Sequence, residues 1–273
     1  MTELREIQGI ELDILEKVTN ILDANGLKWY LIGGSCLGAV RHNGFIPWDD
    51  DIDIGLFRDD YNKARKVLKK YLPDDYLFCD RTTESEYPYN FAKVRKRNTA
   101  YVQDGYSHLN IHLGIYIDIF PFDFAPDNKS SLKKQMLKLK ILRYMNDLSF
   151  MSYKKNNHLR PFWEIPIIAL AHLFINKKMV YIAIENTIQK FNMTASKKYV
   201  CNYLGFWGDR EVANFKWFQK VRSVQFENKR CNIPFEYDKY LRKVYGDYMR
   251  LPPIEQRVPK HDAIFISLDK EYK

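Results

Sequence analysis

The sequence predicts an α+β fold in which helices flank a mixed sheet and a largely helical part follows. Strand patterns with a period of two alternate with helical patterns over the first 127 residues, and long helical patterns dominate after Asn128. A chain of 273 residues is long enough for one large domain. We therefore expect a core over residues 1–127 and a helical extension over residues 128–273, packed together as one structural unit.

The predicted helices begin near the amino terminus. Apolar residues between Leu4 and Leu22 recur at helical spacing, and Gly26 is a suitable stop. Ser35 is expected to cap a short helix that ends near His42, where Asn-Gly follows. Further helices are predicted over residues 58–71, 130–148, 165–174, 179–191 and 235–244.

The predicted strands contain β-branched and aromatic residues with alternating polarity. They cover residues 27–32, a segment that carries Asp51 and Asp53, and residues 76–79, 91–95, 99–102 and 114–120. Pro121 is expected to end the last of these strands, which makes Asp123 a cap or turn residue.

The most informative segment is residues 33–55, GGSCLGAVRHNGFIPWDDDIDIG. It opens with a glycine pair after an apolar run and ends with Asp49, Asp50, Asp51 and Asp53. In a strand, Asp51 and Asp53 share one face while the isoleucines beside them point into the core. A solvated acidic turn is the alternative, but those buried isoleucines argue against it.

Adjacent carboxylates repel each other unless a cation lies between them. Hard oxygen ligands of this kind suit Mg²⁺, which commonly takes one or two carboxylates and completes its shell with water and phosphate. Asp118 is the candidate third ligand, because it is an isolated acid in an apolar strand, on the face opposite the isoleucines. Its alternative role is that of a structural hydrogen-bond acceptor.

Several residues near the acids could bind phosphate. The turn Gly33-Gly34-Ser35 allows a close backbone approach and precedes a helix amino terminus, which favours anions. Lys93 and Arg95 share one face of a strand and could neutralise a diphosphate, although an exposed basic strand face is an equal alternative.

Arg41 and His42 lie between the glycine turn and the acids, within reach of a substrate. His42 could act as a general acid or base, or could interact with the carbonyls at the end of its own helix.

The net charge of +9 is concentrated in one region. Residues 129–160 contain nine basic residues and one acid, a net charge of +8. The candidate partners are an anionic membrane, a phosphorylated substrate or a nucleic acid. The longest apolar run, residues 165–175, is shorter than the roughly 20 residues of a membrane span, so a core helix is predicted, with a helix on the bilayer surface as the alternative.

The expected location is the cytoplasm, because no signal peptide is visible and the four cysteines lack a metal-binding or disulfide pattern. These cysteines are predicted to be small buried hydrophobic residues.

Four motifs identify a family. The segment 33–55, followed by FAKVRKRNTAYV (residues 91–102), GIYIDIFPFD (residues 114–123) and YLRKVYGDYMRLPPIEQR (residues 240–257), resembles the LicD family of phosphocholine transferases. That family belongs to the nucleotidyltransferase-like superfamily and is related to the fukutin-type phosphoribitol transferases. The resemblance therefore implies a nucleotidyltransferase-like sheet.

The resemblance also implies a site and a reaction. Asp51, Asp53 and Asp118 would hold Mg²⁺, and Asp49 matches a further acidic position. The donor would be a CDP-activated alcohol such as CDP-choline, whose phospho-alcohol passes to a sugar hydroxyl with release of CMP. Asp118 or Asp49 would accept the proton of that hydroxyl.

The expected function is therefore Mg²⁺-dependent transfer of phosphocholine to a glycan, or a lipid-linked glycan, of teichoic acid, lipopolysaccharide or capsule. The basic region, residues 129–160, would contact the inner face of an anionic membrane. Aromatic residues available to enclose choline are Tyr87, Tyr89, Tyr101, Tyr116 and Trp207. Transfer of another phospho-alcohol or of a nucleotidyl group is the alternative, since residues 82–90 match no family feature. A nucleic-acid-binding module would leave the acids unexplained, so no nucleic acid is expected.

Overall fold

A computed structural model describes residues 3–155, 158–194, 196–259 and 261–273. The helices are α1 (Glu3–Ala24), α2 (Gly33–His42), α3 (Arg58–Tyr71), α4 (Lys129–Phe150), α5 (Glu164–Phe174), α6 (Lys177–Ile188) and α7 (Tyr237–Tyr245). The strands are β1 (Tyr30–Leu31), β2 (Asp53–Phe57), β3 (Tyr76–Cys79), β4 (Ala92–Lys96), β5 (Ala100–Gln103), β6 (Tyr116–Ala125), β7 (Lys154–Lys155), β8 (His158–Leu159), β9 (Tyr199–Cys201), β10 (Val212–Asn214), β11 (Val221–Phe226), β12 (Lys229–Pro234) and β13 (Ala263–Ser267).

The main sheet is mixed, as predicted. Its strand order is β1-β2-β6-β4-β3, and β9 and β10 extend it beside the second half of β6. Strands β2 and β6 are parallel, whereas β4 and β9 run antiparallel to β6. Helices α1 and α3 pack on this sheet through apolar side chains. The predicted α+β class with flanking helices is therefore confirmed.

Strand β6 is longer than predicted, because Pro121 does not end it. Pairing with β4 stops at Ile119 and pairing with β9 starts at Asp123, so the proline lies in the gap between these two partners. A missing N–H costs little where no neighbouring strand needs it. The prediction that Asp123 is a turn residue is wrong, because it lies within the strand and is 1 % exposed.

Asp123 forms a buried ion pair that joins three elements. The guanidinium of Arg58, at the start of α3, donates from Nε to Oδ1 of Asp123 at 2.8 Å. A second guanidinium nitrogen of Arg58 lies 3.3 Å from a carboxylate oxygen of Glu185 on α6. Such a paired network holds its members in one geometry, and removing a single member leaves a buried charge uncompensated.

Between Asn128 and Ile188 the described chain contains helices α4, α5 and α6 and the short strands β7 and β8, and both α5 and α6 pack on α4. Beyond Ile188 the structure has the predicted helix α7, but it also has the strands β9 to β13, which the prediction of a largely helical part did not contain. Strand β9 joins the main sheet and β13 pairs with β5, so the later part of the chain is built into the core. All four cysteines are free and buried, as predicted.

Candidate active site

Three adjacent strands place two acids and a lysine in one row. In the register of the sheet, Asp53 of β2 lies opposite Asp118 of β6, and Asp118 lies opposite Lys93 of β4. Neighbouring strands are about 4.8 Å apart, so the three side chains stand side by side on the same face. This face also carries Tyr116 and Phe120, as the period of two predicted.

The row forms one wall of a cavity of about 980 Å³. The acids on this wall are Asp49, Asp51, Asp53 and Asp118. The cavity is also lined by residues at and after the end of α4, including Arg143, Asp147, Phe150 and Arg160. A cavity of this volume with a charged wall is large enough for a nucleotide-sized ligand.

Asp53 is a strongly perturbed acid of the row. Burial raises its pKa well above the usual range, and the negative charges of Asp51, Asp118 and Asp49 raise it further. The ionised form of Asp53 is therefore costly unless a cation is present. This is the electrostatic condition that the sequence predicted for a metal ligand.

The glycine pair lies against these carboxylates. Gly33 has φ +53°, and a Cβ there would be 3.2 Å from Oδ2 of Asp53. A Cβ on Gly34 would be 2.6 Å from Oδ2 of Asp49, so a side chain at this position would require that carboxylate to move. The glycines thus give the carboxylates room, and both line the cavity as expected of a ligand-binding turn.

Ser35 has a different position from the one predicted. Helix α2 begins at Gly33, so Ser35 lies inside it and does not cap it. Its hydroxyl accepts a hydrogen bond from the backbone N–H of Asp53 at 2.8 Å. Ser35 is buried and is not one of the described residues that line the cavity. Its observed role is to hold the start of β2 in place.

Lys93 is buried within the row, and its Nζ donates to Oδ1 of Asp118 at 2.5 Å. The same ammonium lies 3.5 Å from the ring centroid of Tyr116 and 4.9 Å from that of Tyr89. Burial lowers its pKa, and the charge of Asp118 opposes that shift. Lys93 therefore neutralises Asp118 in this structure and faces the cavity.

Arg95 shares the face of Lys93 but not the cavity. It is 3 % exposed and donates from its guanidinium to the carbonyl oxygen of Gly114 at 2.9 Å. The alternative of a solvated basic strand face is wrong for both residues, since Lys93 is also 3 % exposed. Arg95 is placed to support the sheet beside Tyr116, whose ring centroid is 5.0 Å away.

Arg41 and His42 lie at the end of α2, where the two side chains are hydrogen-bonded to each other at 2.9 Å. Arg41 also donates to the carbonyl of Tyr248, and His42 packs edge-on against Trp48. Burial and the charge of Arg41 lower the pKa of His42. Neither residue is among the described residues that line the cavity.

A pair that the sequence did not suggest lies beside the acids. Nδ1 of His261 is 3.0 Å from Oδ1 of Asp50, and Nε2 of His261 is 3.9 Å from Asp51. Burial alone would raise the pKa of Asp50, but the hydrogen bonds from His261 and Tyr101 lower it. Because 211 residues separate His261 from Asp50, no local pattern could have indicated this contact.

Two glutamates were also missed. Glu11 of α1 is 2 % exposed, and its Oε2 lacks a hydrogen-bond partner. Burial and the nearby acids Asp51, Asp50 and Asp49 raise its pKa. Glu211 lines the cavity, and burial raises its pKa to about 7. The helical spacing of the apolar residues of α1 includes Glu11, so its burial had a local signal in the sequence, whereas no such pattern marked Glu211.

These donors fit a divalent cation, although the arrangement differs from the predicted trio. Among the described residues, Asp49, Asp50 and Asp51 present carboxylate oxygens within 4.8 Å of one another. Asp53 shares the cavity wall, while an oxygen of Asp118 is held by Lys93. Adjacent carboxylates repel one another when all are ionised, and a cation between them relieves that repulsion. Hard oxygen donors of this kind are suited to Mg²⁺.

The comparisons with known proteins identify the family of the chain. Residues 26–172 match the family model described as LicD/FKTN/FKRP, nucleotidyltransferase domain. The chain belongs to the LicD family. The matched segment contains the whole row of Asp53, Asp118 and Lys93, and the fold of the family is nucleotidyltransferase-like, as the motifs implied.

Individual relatives of this LicD-family chain differ in how much of it they cover. The lipopolysaccharide cholinephosphotransferase LicD of Haemophilus influenzae is 28 % identical over 274 residues, which span 94 % of this chain and 96 % of that protein. The human ribitol 5-phosphate transferase FKRP is 42 % identical over 50 residues, 18 % of this chain and 10 % of that protein. The human ribitol-5-phosphate transferase FKTN is 35 % identical over 49 residues, covering 18 % and 11 %.

Proposed function

We propose that this LicD-family chain is a Mg²⁺-dependent transferase that moves phosphocholine from CDP-choline to a hydroxyl of a cell-surface glycan precursor. The observation that carries the proposal is the row of Asp53, Asp118 and Lys93 on the wall of one large cavity, flanked by Asp49 and Asp51. The full-length similarity to a cholinephosphotransferase that acts on lipopolysaccharide supports the choice of group and acceptor.

The acids and the lysine have separable roles. Asp49, Asp51, Asp53 and Asp118 are the residues that would hold the metal. When bound, Mg²⁺ supplies positive charge that offsets the charge of the diphosphate and of the departing CMP. Lys93 is placed to add a positive charge beside the same phosphates, because its ammonium already lies on this wall.

The acceptor hydroxyl needs a base as it attacks phosphorus. A carboxylate can take this proton, and we assign this role to Asp118 or Asp49, both of which line the cavity. The products are the phosphodiester-linked glycan and CMP.

Recognition of choline would use aromatic rings, because a quaternary ammonium cannot donate hydrogen bonds and is attracted to ring faces. Of the five aromatic residues that the sequence suggested, Tyr89, Tyr116 and Trp207 line the cavity. The ammonium of Lys93 already lies over the rings of Tyr89 and Tyr116, so these faces accept a cation.

The test is incubation of the purified protein with Mg²⁺, a panel of CDP-alcohols and candidate glycans, with CMP as the readout. We expect CMP release with CDP-choline, and its loss in Asp51→Ala with the fold retained by circular dichroism. The matched control is Asp59→Ala, an exposed acid in the first turn of α3, which is expected to keep activity.

Each other outcome rejects part of the proposal. Release of CMP only with CDP-ribitol would assign a phosphoribitol transferase, the activity in the names of the shorter matches. Release of pyrophosphate from CTP would assign nucleotidyl transfer. Full activity of Asp51→Ala would reject the metal site.

A further inference from the structure

Helix α5 is apolar on two faces, which corrects the prediction that it is a core helix. Ile168 and Ala171 are buried, and α5 packs on α4. The other face is exposed by half to three quarters and carries Ile167, Leu170, Leu173 and Phe174. These four positions follow the spacing of a single helical face, so the exposed apolar surface is a continuous stripe.

Further large apolar residues are exposed just before α5 and on α4 and α6. Phe162 is 80 % and Trp163 is 61 % exposed. Exposed apolar residues on α4 and α6 are Leu137, Ile141, Tyr144, Met179 and Ile182. Soluble monomers rarely leave so many large apolar side chains in water, and an aromatic pair at the end of an apolar helix is typical of a membrane interface.

The surroundings of α5 are positively charged. Residues 150–178 contain five basic residues and one acid, a net charge of +4. The acid, Glu164, is bound by the guanidinium of Arg160 at 2.9 Å. The exposed Lys154, Lys155 and Lys178 flank the apolar stripe in sequence. A partner that covers this region must therefore offer both apolar material and negative charge.

We infer that α5, with Phe162 and Trp163, lies in the interface of an anionic phospholipid bilayer. A bilayer of this kind supplies acyl chains for the stripe and negative headgroups for the lysines. A second copy of this chain would bring like charges together, which disfavours a dimer through this face. Across the described ranges, each helix by itself is too short or too polar to span a membrane. Helices α5 and α6 together reach the length and hydropathy of a membrane span, but an 81° bend separates them.

Docking in this orientation has a consequence for the substrate. Arg160, which binds Glu164 of α5, also lines the cavity. Arg143 and Phe150 of α4 line the cavity as well. The cavity therefore lies beside the headgroups when α5 is in the interface. Resting on the proposed transferase function, this placement favours a glycan acceptor that is anchored to a lipid.

The experiment is co-sedimentation of the full chain with vesicles of phosphatidylcholine, with and without phosphatidylglycerol. We expect binding to the anionic vesicles that weakens in 1 M salt and is weak on neutral vesicles. Leu170→Glu/Leu173→Glu is expected to lower the partition coefficient at least ten-fold. Lys154→Gln/Lys155→Gln should lower it about five-fold for each lysine, since each is worth about 1 kcal/mol near an anionic surface.

The matched control carries the same added charge outside the stripe. Tyr71→Glu/Val221→Glu changes two exposed residues on α3 and β11, and its vesicle binding is expected to match that of the unaltered protein. Equal binding by Leu170→Glu/Leu173→Glu would overturn the inference. The inference would also be overturned if analytical ultracentrifugation showed a dimer of the unaltered protein and a monomer of Leu170→Glu/Leu173→Glu. Neither readout requires catalysis, so a failure here is distinct from a failure of the proposed reaction.

Discussion

The pKa of Glu211 makes a quantitative prediction about stability. Burial raises this pKa from the ordinary value of 4.5 to about 7, and a hydrogen bond from the backbone of Trp207 opposes the shift. The surrounding ionisable groups are Tyr240, Tyr245 and Cys201, whose own pKa values are raised and which stay neutral below pH 8. Glu211 is therefore a buried carboxyl without a positive partner among the groups that shift its pKa.

The sign follows from comparing the folded and unfolded states. Below pH 4.5 both states keep the proton and the carboxyl has no effect on stability. Between pH 4.5 and about 7 only the unfolded state ionises, so the free energy of unfolding falls by about 1.4 kcal/mol per pH unit. Above pH 7 the loss is complete, at about 3 kcal/mol in total.

Glu211→Gln removes this titration while nearly preserving the shape of the side chain. Relative to the unaltered protein, the variant is expected to gain about 3 kcal/mol between pH 4.5 and pH 8. The measurement is urea unfolding followed by circular dichroism at a series of pH values. Asp209→Asn, an exposed acid two residues earlier, is the control and should show a difference within about 0.5 kcal/mol at every pH. Parallel stability profiles for Glu211→Gln and the unaltered protein would refute the burial argument.

Two further predictions follow from the buried charges. Asp53→Asn removes one of several carboxylates that repel each other, so in EDTA this variant should melt at a higher temperature than the unaltered protein. Mg²⁺ should raise the melting temperature of the unaltered protein but not that of the variant. Arg58→Ala leaves the buried carboxylate of Asp123 without its positively charged partner, so it should lower the free energy of unfolding by about 3–5 kcal/mol in urea titrations.

Matched variants separate these effects from general ones. Asp59→Asn, on the exposed side of α3, should keep the response to Mg²⁺, and an equal response in Asp53→Asn would contradict the metal assignment. Lys63→Ala breaks an exposed pair with Asp60 and should cost at most about 1 kcal/mol. A comparable cost for Arg58→Ala would mean that the buried pair contributes no more than a surface one.

The sequence determined many of the local elements and the family. Helical periodicity located α1, and the period of two put Asp118 on the face that the structure exposes to the cavity. The acidic motif, through its resemblance, indicated the family, while the divalent cation that it predicts stays a prediction. Such patterns are local, because they depend on side-chain spacing within a single helix or strand.

Only the tertiary structure decided which of these residues meet. The register of β2, β6 and β4 sets Asp53, Asp118 and Lys93 in one row, and a shift of one residue would turn each side chain to the opposite face. Burial of Arg95 behind that row and the contact of His261 with Asp50 likewise depend on segments distant in the chain. Strand pairing and packing arise from the balance of contacts over the whole molecule, which no single stretch of sequence contains.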